Sequence, residues 1–65
     1  MPAQKWKVTL EVDQWRSQER RSVIGQREFT VPASSSKEAE QNARKRLGEQ
    51  PGNPRFQRVI SIQRL

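Results

Sequence analysis

The sequence predicts a small α+β domain in which a three-stranded antiparallel sheet carries one helix on one face, in the chain order β-β-α-β. Apolar residues alternate with polar ones near the N-terminus, and a serine-capped helical pattern follows Pro32. A further alternating pattern, that of the last strand, follows a Pro-Gly turn. Because the chain has only 65 residues, we expect a single domain, 1–65, with a shallow core that a homodimer mate or another partner could complete.

The first predicted strand, at residues 5–13, has the clearest pattern. Four apolar residues stand at every second position, as in a strand with one buried face: Trp6, Val8, Leu10 and Val12. Residues 13–21 are polar apart from Trp15. They therefore predict a long hairpin loop, with frayed strand at its ends.

The second predicted strand covers residues 22–31. The residues that share one face are Val23, Phe29 and Val31. Ile24 falls on the other face. Gly25 indicates a bulge or a close approach of another backbone, and Pro32 is expected to end the strand because it has no N–H to donate.

A helix is predicted at residues 35–47. Ser35 as N-cap places Glu38 at the third helical position, which is the capping-box spacing. The apolar stripe at i, i+4, i+8 comprises Ala39, Ala43 and Leu47. Gly48 is expected to end the helix in a left-handed conformation.

A turn and a third strand complete the pattern. Residues 49–54 predict a turn, in which Pro51 and Gly52 suit the central positions of type II. The strand follows at residues 55–65, with one face formed by Phe56, Ile60 and Ile62 and the other by Val59 and Leu65. A right-handed crossover through the helix makes this strand parallel to the second. The simplest sheet order is then 2-1-3.

The two faces of this sheet are predicted to differ in polarity, as in antiparallel sheets with one wet side. The face packed on the helix comprises Trp6, Val8, Leu10, Val12, Phe29, Val31, Ile60 and Ile62. The face open to water or to a partner carries Lys5, Lys7, Thr9, Glu11, Gln26, Glu28, Thr30, Ser61 and Gln63.

Segments of the chain resemble two known families. Thr30-Val31-Pro32 at a strand end, a basic helix end at residues 43–48 and the run Val59-Ile60-Ser61-Ile62 are similar to the small capping-linker domain of phycobilisomes. The stretch from the second strand through a capped helix to a final strand also resembles the archaeal ribosomal protein LX, another basic β-β-α-β domain. Each resemblance covers about half of the chain, and residues 49–55 are an insertion relative to the linker pattern. No functional residue is transferred from either family.

The charge balance favours an anionic partner. Thirteen basic residues face seven acidic ones, which gives a net charge of +6. The excess is spread over both halves of the chain, so there is no detachable basic tail. A folded domain of this kind attracts polyanions over a Debye length of about 8–10 Å.

The composition argues against catalysis. The chain has no cysteine and no histidine, which removes thiol chemistry and the usual zinc and transition-metal ligands. The carboxylates do not cluster in sequence, and the three glycines form no phosphate-binding loop. We therefore expect no enzyme, no cofactor and no metal. With neither a signal-peptide pattern nor an apolar run longer than two residues, we expect no membrane span and a cytoplasmic location.

Eight residues are candidates for binding: Lys5, Lys7, Trp15, Arg16, Arg20, Arg21, Arg55 and Arg58. An exposed Trp15 among arginines could stack on a base while the guanidinium groups bind phosphates. Alternatively, Trp15 folds back to seal the end of the core, and the arginines of the third strand guard a sheet edge. The basic run Arg44-Lys45-Arg46 is either a solvated last helical turn or a phosphate-binding ridge.

Two functions follow from these candidates. The first is a non-catalytic module that binds nucleic acid, RNA somewhat ahead of DNA, mainly through phosphate contacts. The alternative is a small basic adaptor, linker or inhibitor that docks on an acidic protein surface, as in phage accessory or assembly-linker proteins.

Overall fold

A computed structural model of the protein describes residues 3–52 and 54–65. The elements are β1 (Gln4–Arg16), β2 (Arg21–Ala33), α1 (Ser36–Gly48) and β3 (Arg55–Arg64). The strands form an antiparallel sheet in the order β2-β1-β3, and α1 packs on one of its faces. The predicted α+β class, the chain order and the strand order are confirmed.

The hairpin of β1 and β2 is longer than the sequence pattern indicated. The two strands pair without interruption from Gln4 opposite Ala33 to Arg16 opposite Arg21. The connection is a turn of residues 17–20, so the prediction of a long loop at 13–21 is wrong. Backbone pairing continues through polar residues because ladder hydrogen bonds do not depend on side-chain hydrophobicity.

Two residues of β2 behave differently from their predicted roles. Gly25 pairs with Val12 in an unbroken register, and a Cβ built there would have no neighbour within 4 Å. The predicted bulge or close backbone approach at Gly25 is therefore wrong. Pro32 does not end the strand but stays in it opposite Lys5, which is tolerated because β2 is an edge strand.

The core lies between one end of the hairpin and α1. The sheet contributes the buried residues Val8, Leu10, Val12, Val31 and Ala33, and the helix contributes Ala39, Ala43 and Leu47. Partly buried around them are Trp6, Phe29, Phe56, Val59 and Ile62. The indole Nε1 of Trp6 donates to the Ala33 carbonyl at 2.9 Å. This bond satisfies the ring's only donor where the ring packs against the core.

The start of the helix follows the predicted cap, and its end does not. The Ser35 hydroxyl accepts from the Glu38 backbone N–H at 3.2 Å. The helix then runs through Gly48 to a C-cap at Glu49 with φ of −91°, so the predicted left-handed stop at Gly48 is wrong. Gly52 has φ of +87°, as a type II turn requires of its third residue. Asn53, which belongs to the same predicted turn, lies outside the described residues.

β3 is irregular, and this changes which of its residues face the core. Ile62 pairs with Val8 and Val59 pairs with Leu10, and two register shifts each add one residue to β3. Such bulges reverse the side-chain phase of the residues that follow. Consequently Val59 packs against the core, whereas Ile60 is 40% exposed. The predicted placement of Ile60 in the core and of Val59 on the opposite face is wrong.

Candidate nucleic-acid interface

The end of the hairpin projects beyond the rest of the sheet and the helix. β3 pairs with β1 only as far as Asp13, which lies opposite Arg55. Residues 14–23, here named the hairpin arm, continue as a two-stranded ribbon closed by the turn. A 13-residue helix is about 20 Å long, whereas a 13-residue strand extends about 43 Å. Because α1 can cover only about half of the hairpin, none of the buried core residues lies in the arm.

Trp15 is the most conspicuous side chain of the hairpin arm. It pairs with Ser22 on the face away from α1 and is 60% exposed. Ile24, opposite Asp13, is 59% exposed and is a diagonal neighbour of Trp15 on the same face, at a typical spacing of about 7–8 Å. The alternative in which Trp15 folds back onto the end of the core is therefore wrong. The two side chains form an exposed apolar patch.

Three arginines lie at the tip of the hairpin arm, two of them, Arg16 and Arg21, paired on the face of the ribbon opposite Trp15. Arg16, Arg20 and Arg21 are all exposed, and the only acidic residue in the segment is Glu19. Glu19 accepts from the Nε of Arg21 at 3.1 Å. An exposed ion pair of this kind contributes little to stability, so the Arg21 guanidinium can exchange this partner for a phosphate.

A shallow pocket connects the hairpin arm to the start of β3. It has a volume of about 460 Å³ and is lined by Asp13, Trp15, Ser22, Gly52 and Arg55. The buried Oδ1 of Asp13 accepts no hydrogen bond from the described residues. The pocket therefore combines an exposed aromatic ring, a guanidinium group, a hydroxyl and an unsatisfied acceptor.

The structure places five of the eight predicted residues at the same end of the sheet: Trp15, Arg16, Arg20, Arg21 and Arg55. The other three are engaged or distant. Lys7 pairs with Glu28 at 3.5 Å, and Arg58 pairs with Glu11 at 2.9 Å. Lys5 stands ten residues before Trp15, or about 33 Å along the strand. Glu11 and Glu28 thus place negative charge beside Arg58 and Lys7 on the open face of the sheet.

Two contributors were not identified from the sequence alone. Ile24 was assigned to the open face, but its place beside Trp15 depends on the hairpin register. Because residues 13–21 were predicted to be a loop, no pairing of Trp15 with β2 was expected. Arg27 donates from Nη2 to Gln14 Oε1 at 2.9 Å, so its charge lies near the base of the hairpin arm. A cross-strand pairing hypothesis with a four-residue turn would have found Ile24. The same register places Arg27 opposite Leu10, and only the length of the Arg27 side chain brings its charge to Gln14.

The basic end of the helix is partly committed to the fold. The guanidinium carbon of Arg44 lies 4.3 Å from the centre of the Phe56 ring, a cation–π geometry. Lys45 and Arg46 remain exposed. The helix end therefore offers charge but no exposed aromatic ring beside it, unlike the hairpin arm.

Known proteins do not identify this interface. No protein-family model matches the chain, and no curated protein or solved structure is significantly similar to it. Within residues 3–52 and 54–65, the acidic side chains form no group of three that could hold a metal ion. The same part of the chain contains no helix with the length and hydrophobicity to cross a membrane.

Proposed function

We propose that the protein is a non-catalytic cytoplasmic module that binds nucleic acid through the hairpin arm, single strands in preference to duplexes and RNA ahead of DNA. The observation that carries this proposal is the exposure of Trp15, which is 60% exposed. It lies on a projecting ribbon whose charged residues are three arginines and one glutamate. A domain with so few apolar residues leaves a tryptophan in water at a cost, which a stacking partner would offset.

The chemistry of the hairpin arm matches the way that proteins bind unpaired bases. Stacking of a base on an aromatic side chain contributes about 1–3 kcal/mol, and arginine donates to phosphate in a planar fork. Arg16, Arg20 and Arg21 lie along the ribbon, and Arg55 lies across the pocket from it. A base on Trp15 would therefore have Arg55 beside it, and a strand that passes around the tip of the ribbon would bring its phosphates to Arg16, Arg20 and Arg21.

The preference for single strands follows from the single exposed ring. A base inside a duplex is already stacked on both faces, so Trp15 can stack only on an unpaired base. Phosphate contacts carry no direct sequence information, and we expect similar affinities for most sequences.

A salt titration tests the proposal. Fluorescence anisotropy would follow a labelled random 20-residue RNA, the matching DNA strand and its duplex at several salt concentrations. With about three to five phosphate contacts, log K should fall with log salt at a slope of about −2 to −3.5 on single strands. If no nucleic acid binds below about 100 μM at about 50 mM salt, the proposal fails.

Matched variants locate the interface. Arg16→Gln should reduce the magnitude of the salt slope by about 0.7, because one phosphate contact is lost. Arg46→Gln removes an arginine of α1 that is also exposed and should leave the slope unchanged. Equal effects of the two substitutions would show that net charge, and not the hairpin arm, determines binding.

An acidic protein surface is the second candidate partner, and Ile24 is the observation that favours it. An exposed isoleucine beside an exposed tryptophan resembles the apolar centre of a protein interface more than a phosphate-binding surface. If the partner is an acidic protein, Ile24→Ser should weaken partner binding strongly. If the partner is RNA, affinity should depend on Trp15 and should be little changed by Ile24→Ser. A protein that binds no nucleic acid in the titration would be assigned to this alternative.

A further inference from the structure

The two edges of the sheet differ in how they are protected against pairing with another chain. The β3 edge carries two register shifts and the exposed arginines Arg55, Arg58 and Arg64, which are the usual devices that blunt an edge strand. The β2 edge pairs with β1 in an unbroken 13-residue register. This edge also carries charges, at Arg21, Arg27 and Glu28. However, residues 21–31 contain neither a proline nor a register shift, so their backbone N–H and C=O groups form a regular row that another strand could pair with.

From this difference we propose that the chain forms a two-fold dimer through the β2 edge, with the strands antiparallel and Gln26 on the symmetry axis. This inference goes beyond nucleic-acid binding, because it concerns a second copy of the chain; the edge that pairs shares residues 21–23 with the hairpin arm. Free N–H and C=O groups on a regular edge are satisfied by another strand. The alternating faces of β2 then determine which register that strand can adopt.

Residues opposite each other in an antiparallel pair share a face, so the residue numbers of a β2 pair must add to an even number. Centring the pair on residue 27 places Arg27 against itself, and centring it on residue 28 does the same for Glu28. Centring on residue 24 sets Arg21 against Arg27. Each of these registers opposes like charges, which is destabilising.

The register centred on Gln26 avoids these conflicts. It places Val23 opposite Phe29 of the second copy, and both side chains are half-buried on the helix side of the sheet. Gly25 lies opposite Arg27 of the second copy, where the missing side chain leaves room for the guanidinium. A register centred on Gly25 would instead set Val23 against Arg27. Registers centred on residue 23 or 29 also oppose no like charges, but they pair only residues 21–25 or 27–31. The Gln26 register pairs the whole of 21–31, although it also sets Arg21 against Val31 and Ile24 against Glu28.

The coverage of the hairpin by α1 supports the same arrangement. Within one chain, α1 packs where Val31 and Ala33 are buried, and Val23 at the other end of β2 is only half-buried. A two-fold axis at Gln26 reverses the second copy. Its helix-covered end of β2 then adjoins the uncovered end of the first. The dimer extends the thin core of each chain, and the interface is self-complementary, as a two-fold interface must be.

Cysteine substitution tests this register directly, because the chain has no cysteine of its own. Gln26→Cys places the two thiols opposite each other across the axis, at a Cβ spacing of about 4.5–5.5 Å, which small adjustments bring within disulfide range. Gln63→Cys is the matched control. It also replaces an exposed glutamine on the open face, but on the β3 edge.

We expect Gln26→Cys to oxidise to a covalent dimer at least tenfold faster than Gln63→Cys. A mixture of Ser22→Cys and Thr30→Cys should give a mixed dimer, while each alone should cross-link as slowly as the control. The unmodified protein should sediment at twice its 7.6 kDa mass at about 100 μM. A monomer mass at about 500 μM, or equal oxidation of Gln26→Cys and Gln63→Cys, overturns the proposal.

Discussion

The two ends of the hairpin are built from similar alternating strands but have different environments. At one end, Val8, Leu10 and Val12 are buried beneath α1. At the other end the same ribbon continues into the hairpin arm, where Trp15 is 60% exposed among arginines. The comparison shows that alternation alone does not bury a residue. Burial needs a covering element, and a helix of 13 residues is too short to cover a strand of the same number of residues.

The strongest test of this contrast compares one large side chain from each end. Leu10→Ala should lower the free energy of unfolding by about 2–5 kcal/mol, because it leaves a cavity in the buried core. Trp15→Ala should change it by less than about 0.5 kcal/mol, since the ring is mostly in water. Urea denaturation followed by far-UV circular dichroism measures both.

In an RNA-binding assay the order should be reversed, so that Trp15→Ala lowers the affinity more than Leu10→Ala does. Trp15→Ala removes a stacking contact of about 1–3 kcal/mol, so the affinity for single-stranded RNA should fall by at least fivefold. Trp15→Phe keeps a ring and should recover part of the affinity. A large loss of stability in Trp15→Ala would mean that the ring packs against the domain and that the two ends of the hairpin do not differ as described.

A finer test separates two isoleucines of β3. Ile62 packs against the core and Ile60 is 40% exposed at a register shift. Ile62→Ala should cost about 1–2 kcal/mol of unfolding free energy, less than a fully buried isoleucine, and Ile60→Ala should cost about 0.5 kcal/mol or less. Equal costs measured by thermal denaturation would contradict the bulged register.

The smallest expected effect lies at the tip of the hairpin arm. Arg20 has φ of +53°, a conformation that costs a side-chain-bearing residue roughly 1–2 kcal/mol. Arg20→Gly relieves this strain at an entropic cost of about 0.5–1 kcal/mol, and a net gain in stability of about 0.5 kcal/mol is expected. Arg16→Gly, within regular strand, should instead destabilise the protein. Calorimetry should therefore show shifts of opposite sign.

Patterns carried by neighbouring residues predicted much of the fold. The alternation of Val8, Leu10 and Val12 predicted the central strand and its buried face, and Ser35 with Glu38 predicted the helix start. Trp15 and its arginines were identified as a candidate site because their residue types are informative without any tertiary contact. That these residues bind nucleic acid remains a prediction.

Features that depend on pairing between distant residues could not be predicted in this way. Ile60 was expected in the core because alternation with a period of two assumes a regular strand. The residue types of β3 do not indicate that its pairing with β1 contains register shifts. Lys7 and Arg58 were expected to be available, but their partners Glu28 and Glu11 come from neighbouring strands. A charge pattern along the chain does not show which charges meet across a sheet.

Because the two tryptophans have different environments, the intrinsic fluorescence of the protein can report on both ends of the hairpin. Trp6 is half-buried and its indole N–H is bound to the Ala33 carbonyl, so its emission should shift to longer wavelength when the helix-covered end unfolds. Trp15 already emits from a watery environment and should respond by quenching when a ring stacks on it. A single fluorescence spectrum thus separates loss of structure, a change of colour, from occupancy of the hairpin arm, a change of intensity.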